Sequence, residues 1–179
     1  MSEVRRRLAV AAAALTVLGG ALWSLYSLTG PRENSGPTEA VALYDPQDAR
    51  QVAGTADDVF LGTVVSRTGE RDIYGVFSDL YAVRVGQVFK GTVRDTTTVS
   101  YYQGEEPLTD GASYVFATGR VPDGQSHAVL LETIPAPVAD LNAPARTITA
   151  VAASDGRTIR EYWKWAVDHE IDVSPGQER

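Results

Sequence analysis

Residues able to carry catalytic or metal chemistry are few in this chain. It has two histidines, His127 and His169, and no cysteine. Cysteine-ligated zinc and thiol nucleophiles are therefore excluded. His169 stands among Asp168, Glu170 and Asp172, all metal-ligating types, but at a predicted helix end where such side chains are solvated. Ser126 directly precedes His127, and neighbours on a strand point to opposite faces, so sequence adjacency does not make them a nucleophile with its base. No serine lies in the Gly-x-Ser-x-Gly pattern of a nucleophile elbow. Glu105, Glu106, Asp110 and Asp123 supply oxygens for calcium without the alternating spacing of a calcium loop. These residues predict no catalytic, metal or cofactor site.

The residues suited to recognition are aromatic or cationic. Trp163 and Trp165 lie two apart on a predicted C-terminal helix. Trp163 shares a stripe with Ile159 and Ala166. Trp165 then points about 200° away, toward solvent, where an exposed tryptophan suits a protein partner. Tyr102 is expected to face outward if Val99 and Tyr101 face the core. Beside Arg84 it would suit a peptide or sugar, and cross-strand pairing of surface aromatics is its plainer role. Trp165, Tyr102 and Arg84 are the candidate partner-binding residues.

The elements that position them begin with a membrane segment. Leu8–Leu28 is a run of 21 residues without a charge, directly behind Arg5, Arg6 and Arg7. As a helix it reaches roughly 31 Å, enough to cross a bilayer. The arginines hold residues 1–7 in the cytoplasm and direct the rest outside. Trp23 and Tyr26 suit the outer membrane–water interface. The run is longer than a cleaved signal requires, and no small-residue cleavage triplet closes it. An uncleaved single-pass anchor is expected, with secretion after cleavage as the alternative.

Composition constrains the part of the chain beyond this anchor. Residues 29–45 contain Gly30, Pro31, Gly36 and Pro37 and read as a linker. An exported domain without disulfides must be held by packing alone. Beyond residue 30, 13 basic residues face 22 acidic ones, a balance of −9. So acidic a body repels nucleic acid and anionic membrane surfaces. The partners expected are an extracytoplasmic protein or a cell-wall component.

Along residues 46–171 the pattern is mainly β. Asp45 and Pro46 open a short helix that Gly54 stops. Strands are predicted at 59–66, 77–89, 96–102, 113–118 and 127–133, with 67–75 as a charged loop and Gly86 marking a bulge or bend. Thr147–Ala152 reads as a short strand or the lead into a helix. A helix over 157–171 is capped by Ser154 or Asp155, and residues 172–179 form a polar tail. Five strands are too few for a sandwich, which wants about seven, and suit a small closed barrel.

Three stretches carry a family resemblance. Ala56-Asp57-Asp58-Val59-Phe60-Leu61-Gly62-Thr63-Val64 is similar to the opening strand of bacterial exported netrin-like, or tissue-inhibitor-of-metalloproteinase-like, domains. Tyr81-Ala82-Val83-Arg84-Val85 with Val88-Phe89-Lys90-Gly91 resembles their second strand and its closing turn. Pro107-Leu108-Thr109-Asp110-Gly111-Ala112-Ser113-Tyr114-Val115-Phe116 resembles their fourth strand and the turn before it. Together these cover about residues 50–133. The resemblance implies a five-stranded OB-like barrel and, by itself, regulation or inhibition of an extracellular protease. The animal inhibitors use an N-terminal cysteine on the protease zinc; this chain has none, so that mechanism does not carry over. The function expected is a membrane-anchored, outward-facing, non-catalytic binding module, with the protease regulator and an enzyme of unrecognised site as alternatives.

Overall fold

The computed structural model describes residues 44–145 and 156–173, all within one compact unit, Ala40–Arg179. The expected anchor over 8–28, its flanking Arg5, Arg6, Arg7, Trp23 and Tyr26, most of the linker, Thr147–Ala152 and the tail beyond Val173 lie outside the described residues. No helix among the described residues is long and apolar enough to cross a membrane.

The chain is mainly β. Helix α1 (Ala49–Thr55) leads into strands β1 (Asp58–Ile73), β2 (Val76–Lys90), β3 (Thr96–Tyr102), β4 (Ser113–Arg120) and β5 (His127–Val129), followed by helix α2 (Ile159–Asp168). The strand order is β1-β2-β3-β5-β4, and β4 pairs back onto β1, so the sheet closes. All neighbours are antiparallel except β3 and β5, which run parallel through Val99–His127 and Ser100–Ala128.

Strand β1 makes the closure. Its first half, Asp58–Thr63, pairs with β4, and pairs with β2 run from Val59 to Ile73. Four register shifts along the β1–β2 ladder bend the strands. One places three steps of β2 (Val85 to Val88, across Gly86) against two of β1, the irregularity expected at Gly86. At Gly62 an added Cβ would strike Val83 and crowd Phe60 and Phe116, so the barrel interior has no room for a side chain there.

Two cores flank the sheet. Inside it pack Phe60, Val64, Tyr81, Val83, Val99, Tyr101, Tyr114 and Phe116. On the outer face of β1 and β4, Val59, Val115 and Ala117 pack with Val52, Val138, Leu141 and Ile159. Both faces of β4 are therefore buried, which is why Tyr114-Val115-Phe116-Ala117 is an unbroken apolar run.

Several boundaries differ from expectation. The predicted loop at 67–75 is instead the second half of β1 and a two-residue turn, with Tyr74 (φ 55) and Gly75 (φ 87) both left-handed. That is the hairpin turn whose twist matches the strands. This half carries few apolar residues because polar bonds serve it: Arg67 to Asp79 at 2.8 Å, and Gln103 to Asp79 at 2.8 Å and Glu70 at 2.9 Å. Helix α1 is capped by Asp48, not Asp45. Asp45 opens the preceding turn, accepting from Gln47 N–H through its side chain and from Asp48 N–H through its carbonyl. The helix runs through Gly54, where a Cβ would overlap the Ile171 carbonyl of the segment crossing it. Helix α2 is capped by Thr158, not Ser154 or Asp155, in a reciprocal box with Glu161. Strand β5 ends at Val129, not Thr133; the chain then turns through Leu131 and Glu132, the latter at φ 63.

Candidate functional site

One end of the barrel is organised around a buried carboxylate. Asp58, the first residue of β1, is 0 % exposed. Its Oδ1 accepts from Thr92 N–H at 2.8 Å and Arg120 Nη2 at 2.9 Å, and its Oδ2 from Arg120 Nε at 2.8 Å. Arg120 Nη2 also reaches Thr92 Oγ1 at 3.1 Å, and the Arg120 backbone N–H donates to Asp57 at 2.7 Å. Burial by itself pushes the Asp58 carboxyl up. The Arg120 fork, the Thr92 N–H and the nearby His127 ring outweigh it and hold the carboxyl below its ordinary range. Gly91 makes this approach possible: it sits at φ 85, and a Cβ there would overlap Asp58 Oδ1.

A cleft of about 370 Å³ opens beside this cluster. Thr92 and Arg94 of the β2–β3 turn, Thr97 of β3, Arg120, and Ser126 with His127 line it, between Val93 and Val121. His127 Nδ1 lies 3.4 Å from Asp58 Oδ2, near enough to feel its charge but not aligned as a hydrogen bond. Ser126 Oγ is likewise buried without a hydrogen-bond partner. Asp58 is committed to three donors, and no hydroxyl is hydrogen-bonded to His127 among the described residues. The cluster is a polar clasp closing the barrel rather than an aligned nucleophile and base.

The second concavity has a mixed lining in which apolar side chains predominate. A groove of about 380 Å³ runs between α1, α2, β4 and the segment 133–138. Val52, Val115, Ala117, Ile134, Val138 and Trp163 form most of its apolar lining. Ile134 is 66 % exposed, and Trp163 Nε1 is buried without an acceptor. An isolated bridge between Tyr114 and Pro137 holds the segment against β4.

The residues singled out from sequence do not converge. Tyr102 ends β3 at 48 % exposure, its ring over Gly104. Arg84 is exposed on β2, but the register pairs it with Thr96, while Tyr102 pairs with Ser78. Six residues separate them along the ladder, about 20 Å at 3.3 Å per residue, so the expected site of Tyr102 beside Arg84 is corrected. Trp165 is also corrected, from exposed to half-buried. Arg157 covers its ring at 4.3 Å, Arg50 lies at 5.7 Å, and Tyr162 and His169 flank it. His169, at the end of α2, bonds the Trp165 carbonyl through Nδ1 at 2.9 Å. Among the described residues no three His, Asp or Glu side chains gather closely enough to hold a metal ion. The acidic residue Asp123 pairs with Arg71.

Sequence reasoning missed the Asp58–Arg120 clasp and both concavities. The available signal was Asp57-Asp58 immediately before Val59-Phe60-Leu61, because a carboxylate entering a buried strand requires a partner. No family model matches the chain, and no curated protein matches it.

Proposed function

We propose that this chain is an outward-facing, non-catalytic binding module. Residues 8–28 anchor it in the membrane and an OB-like barrel carries its binding surface. The closed five-strand order with parallel β3 and β5 supports the OB-like description. The observation carrying the binding role is the groove with exposed Ile134 and the unpartnered Trp163 N–H. Predominantly apolar side chains at the walls suit an apolar peptide segment of an extracytoplasmic protein, its side chains in the groove. The acidic body disfavours an anionic membrane as the occupant.

A photo-crosslinker placed at Ile134 in the full-length chain, in cells, tests this. One protein should be captured there and not from the same probe at Tyr74, on the distant hairpin turn. A peptide from the captured protein should bind the purified full-length chain saturably, and Ile134→Glu should weaken it by about tenfold. Equal capture at both positions, or unchanged affinity in Ile134→Glu, removes the groove as the binding surface.

A further inference from the structure

The polar cleft has a composition at odds with the rest of the molecule. The chain carries 23 acidic against 16 basic residues, yet among the described residues no carboxylate lines the cleft. Its lining offers Arg94, Arg120, His127 and the hydroxyls of Thr92, Thr97 and Ser126. We propose that this cleft binds a small organic phosphate monoester.

Unspent hydrogen-bonding capacity is the first argument. Asp58 engages Nε and Nη2 of Arg120, leaving Nη1 without a partner among the described residues. Arg94 makes no ion pair among the described residues and is exposed at the rim. Ser126 is only 5 % exposed, and its Oγ, like His127 Nδ1, is buried without a partner. Native proteins rarely leave such atoms unsatisfied; His127 Nδ1 faces the Asp58 carboxylate at 3.4 Å, while Ser126 belongs to the lining of the cleft with no such neighbour for its hydroxyl.

Charge is the second. Asp58 neutralises one arginine and leaves the other in surplus. The other nearby carboxylates do not line the cleft: Asp57 accepts the Arg120 backbone N–H, Asp123 pairs with Arg71, and Asp95 follows Arg94 in the turn. Arginine forks and hydroxyls are the groups that hold oxyanions. They converge here from the β2–β3 turn, β3, β4 and the β4–β5 turn. A phosphate presents acceptor oxygens in several directions to meet them, while a planar carboxylate engages one fork. Size is the third argument: about 370 Å³ exceeds a bare phosphate and leaves room between Val93 and Val121 for a sugar-sized body. This site is separate from the apolar groove and its failure would leave that reading intact.

Calorimetric titration of the full-length chain in neutral detergent with ribose 5-phosphate tests the proposal, with ribose and sodium acetate as controls at matched ionic strength. Ribose 5-phosphate should bind saturably at one site and the controls should not. Arg94→Ala should weaken it by about tenfold or more. The same variant should unfold at the wild-type urea concentration, because Arg94 is exposed and makes no ion pair among the described residues. Absence of saturable binding, an equal response to ribose or acetate, or unchanged affinity in Arg94→Ala would overturn the proposal.

Discussion

The groove over β4 and the cleft beside Asp58 differ little in volume, about 380 against 370 Å³, and greatly in chemistry. The groove is walled mostly by aliphatic side chains, with the rings of Tyr162 and Trp163 and the polar Gln47 and Thr133 among them, and the Trp163 N–H is buried without a partner among the described residues. The cleft adjoins a fully buried carboxylate clasped by arginine, and two of its lining residues, Ser126 and His127, each carry a buried polar atom without a hydrogen-bond partner. Its surroundings are therefore the more sensitive to change, because a buried charge that loses its partner costs far more than an apolar contact. One small domain thus holds two kinds of concavity, one formed by packing layers and one by closing the barrel with a salt bridge.

Removing the carboxylate should disturb the cleft most severely while sparing the groove. Asp58→Ala leaves the Thr92 N–H and the Arg120 fork without their acceptor and should cost about 3 kcal/mol, read by urea unfolding of the full-length chain. The same group sets an acid limit. Its folded carboxyl titrates below the ordinary range, so the unfolded chain takes up the proton at higher pH than the folded one. Its contribution to stability is fully present above the ordinary carboxylate range and is lost as pH falls through the depressed folded value. Asp58→Asn should flatten that part of the stability profile; an unchanged acid limb would show that other carboxylates govern it.

A backbone change should act on the cleft more gently. Gly91→Ala meets both a left-handed φ and the Asp58 carboxylate and should cost about 2 kcal/mol. Gly124→Ala, also left-handed but with open space around it, should cost only the conformational part, about 1 kcal/mol. Equal losses at the two positions would mean that the close approach to Asp58 contributes nothing. The smallest effect is expected at Ser126. Ser126→Ala removes a buried hydroxyl that has no partner and should raise stability by about 0.5–1 kcal/mol. A loss of that size would instead indicate that the hydroxyl is bonded in solution.

Local pattern is legible where burial is one-sided. Thr96–Tyr102 is a strand with the predicted ends, and Phe77–Phe89 differs by one residue at each end from Val76–Lys90. In the longer strand, buried Tyr81 and Val83 alternate with the less buried Ala82 and Arg84, whereas β3 buries Val99, Ser100 and Tyr101 in succession and was legible from its β-rich composition. The second half of β1 escaped because Arg67, Glu70, Arg71 and Asp72 carry no apolar period. Its ladder and polar partners come from β2 and from Gln103, more than 30 residues past Glu70. Trp165 illustrates a different limit. The helical angle turned it away from Ile159 and Ala166, but nothing local announces that Arg50 and Arg157 meet on its ring.

The amino-acid order alone determined the β-rich class, the absence of thiol chemistry, the acidic balance and the charge-free run behind three arginines, because each depends on composition or nearest neighbours. Tertiary structure decided everything that depends on which strands adjoin. Pairing β4 back onto β1 brings Arg120 to Asp58, 62 positions away, and the β2–β3 turn supplies Thr92 to the same carboxylate. The parallel seating of β5 on β3 then sets His127 beside them. Long-range pairing of this kind leaves no periodic trace in sequence, since a lone charged residue reads the same whether it is solvated or clasped.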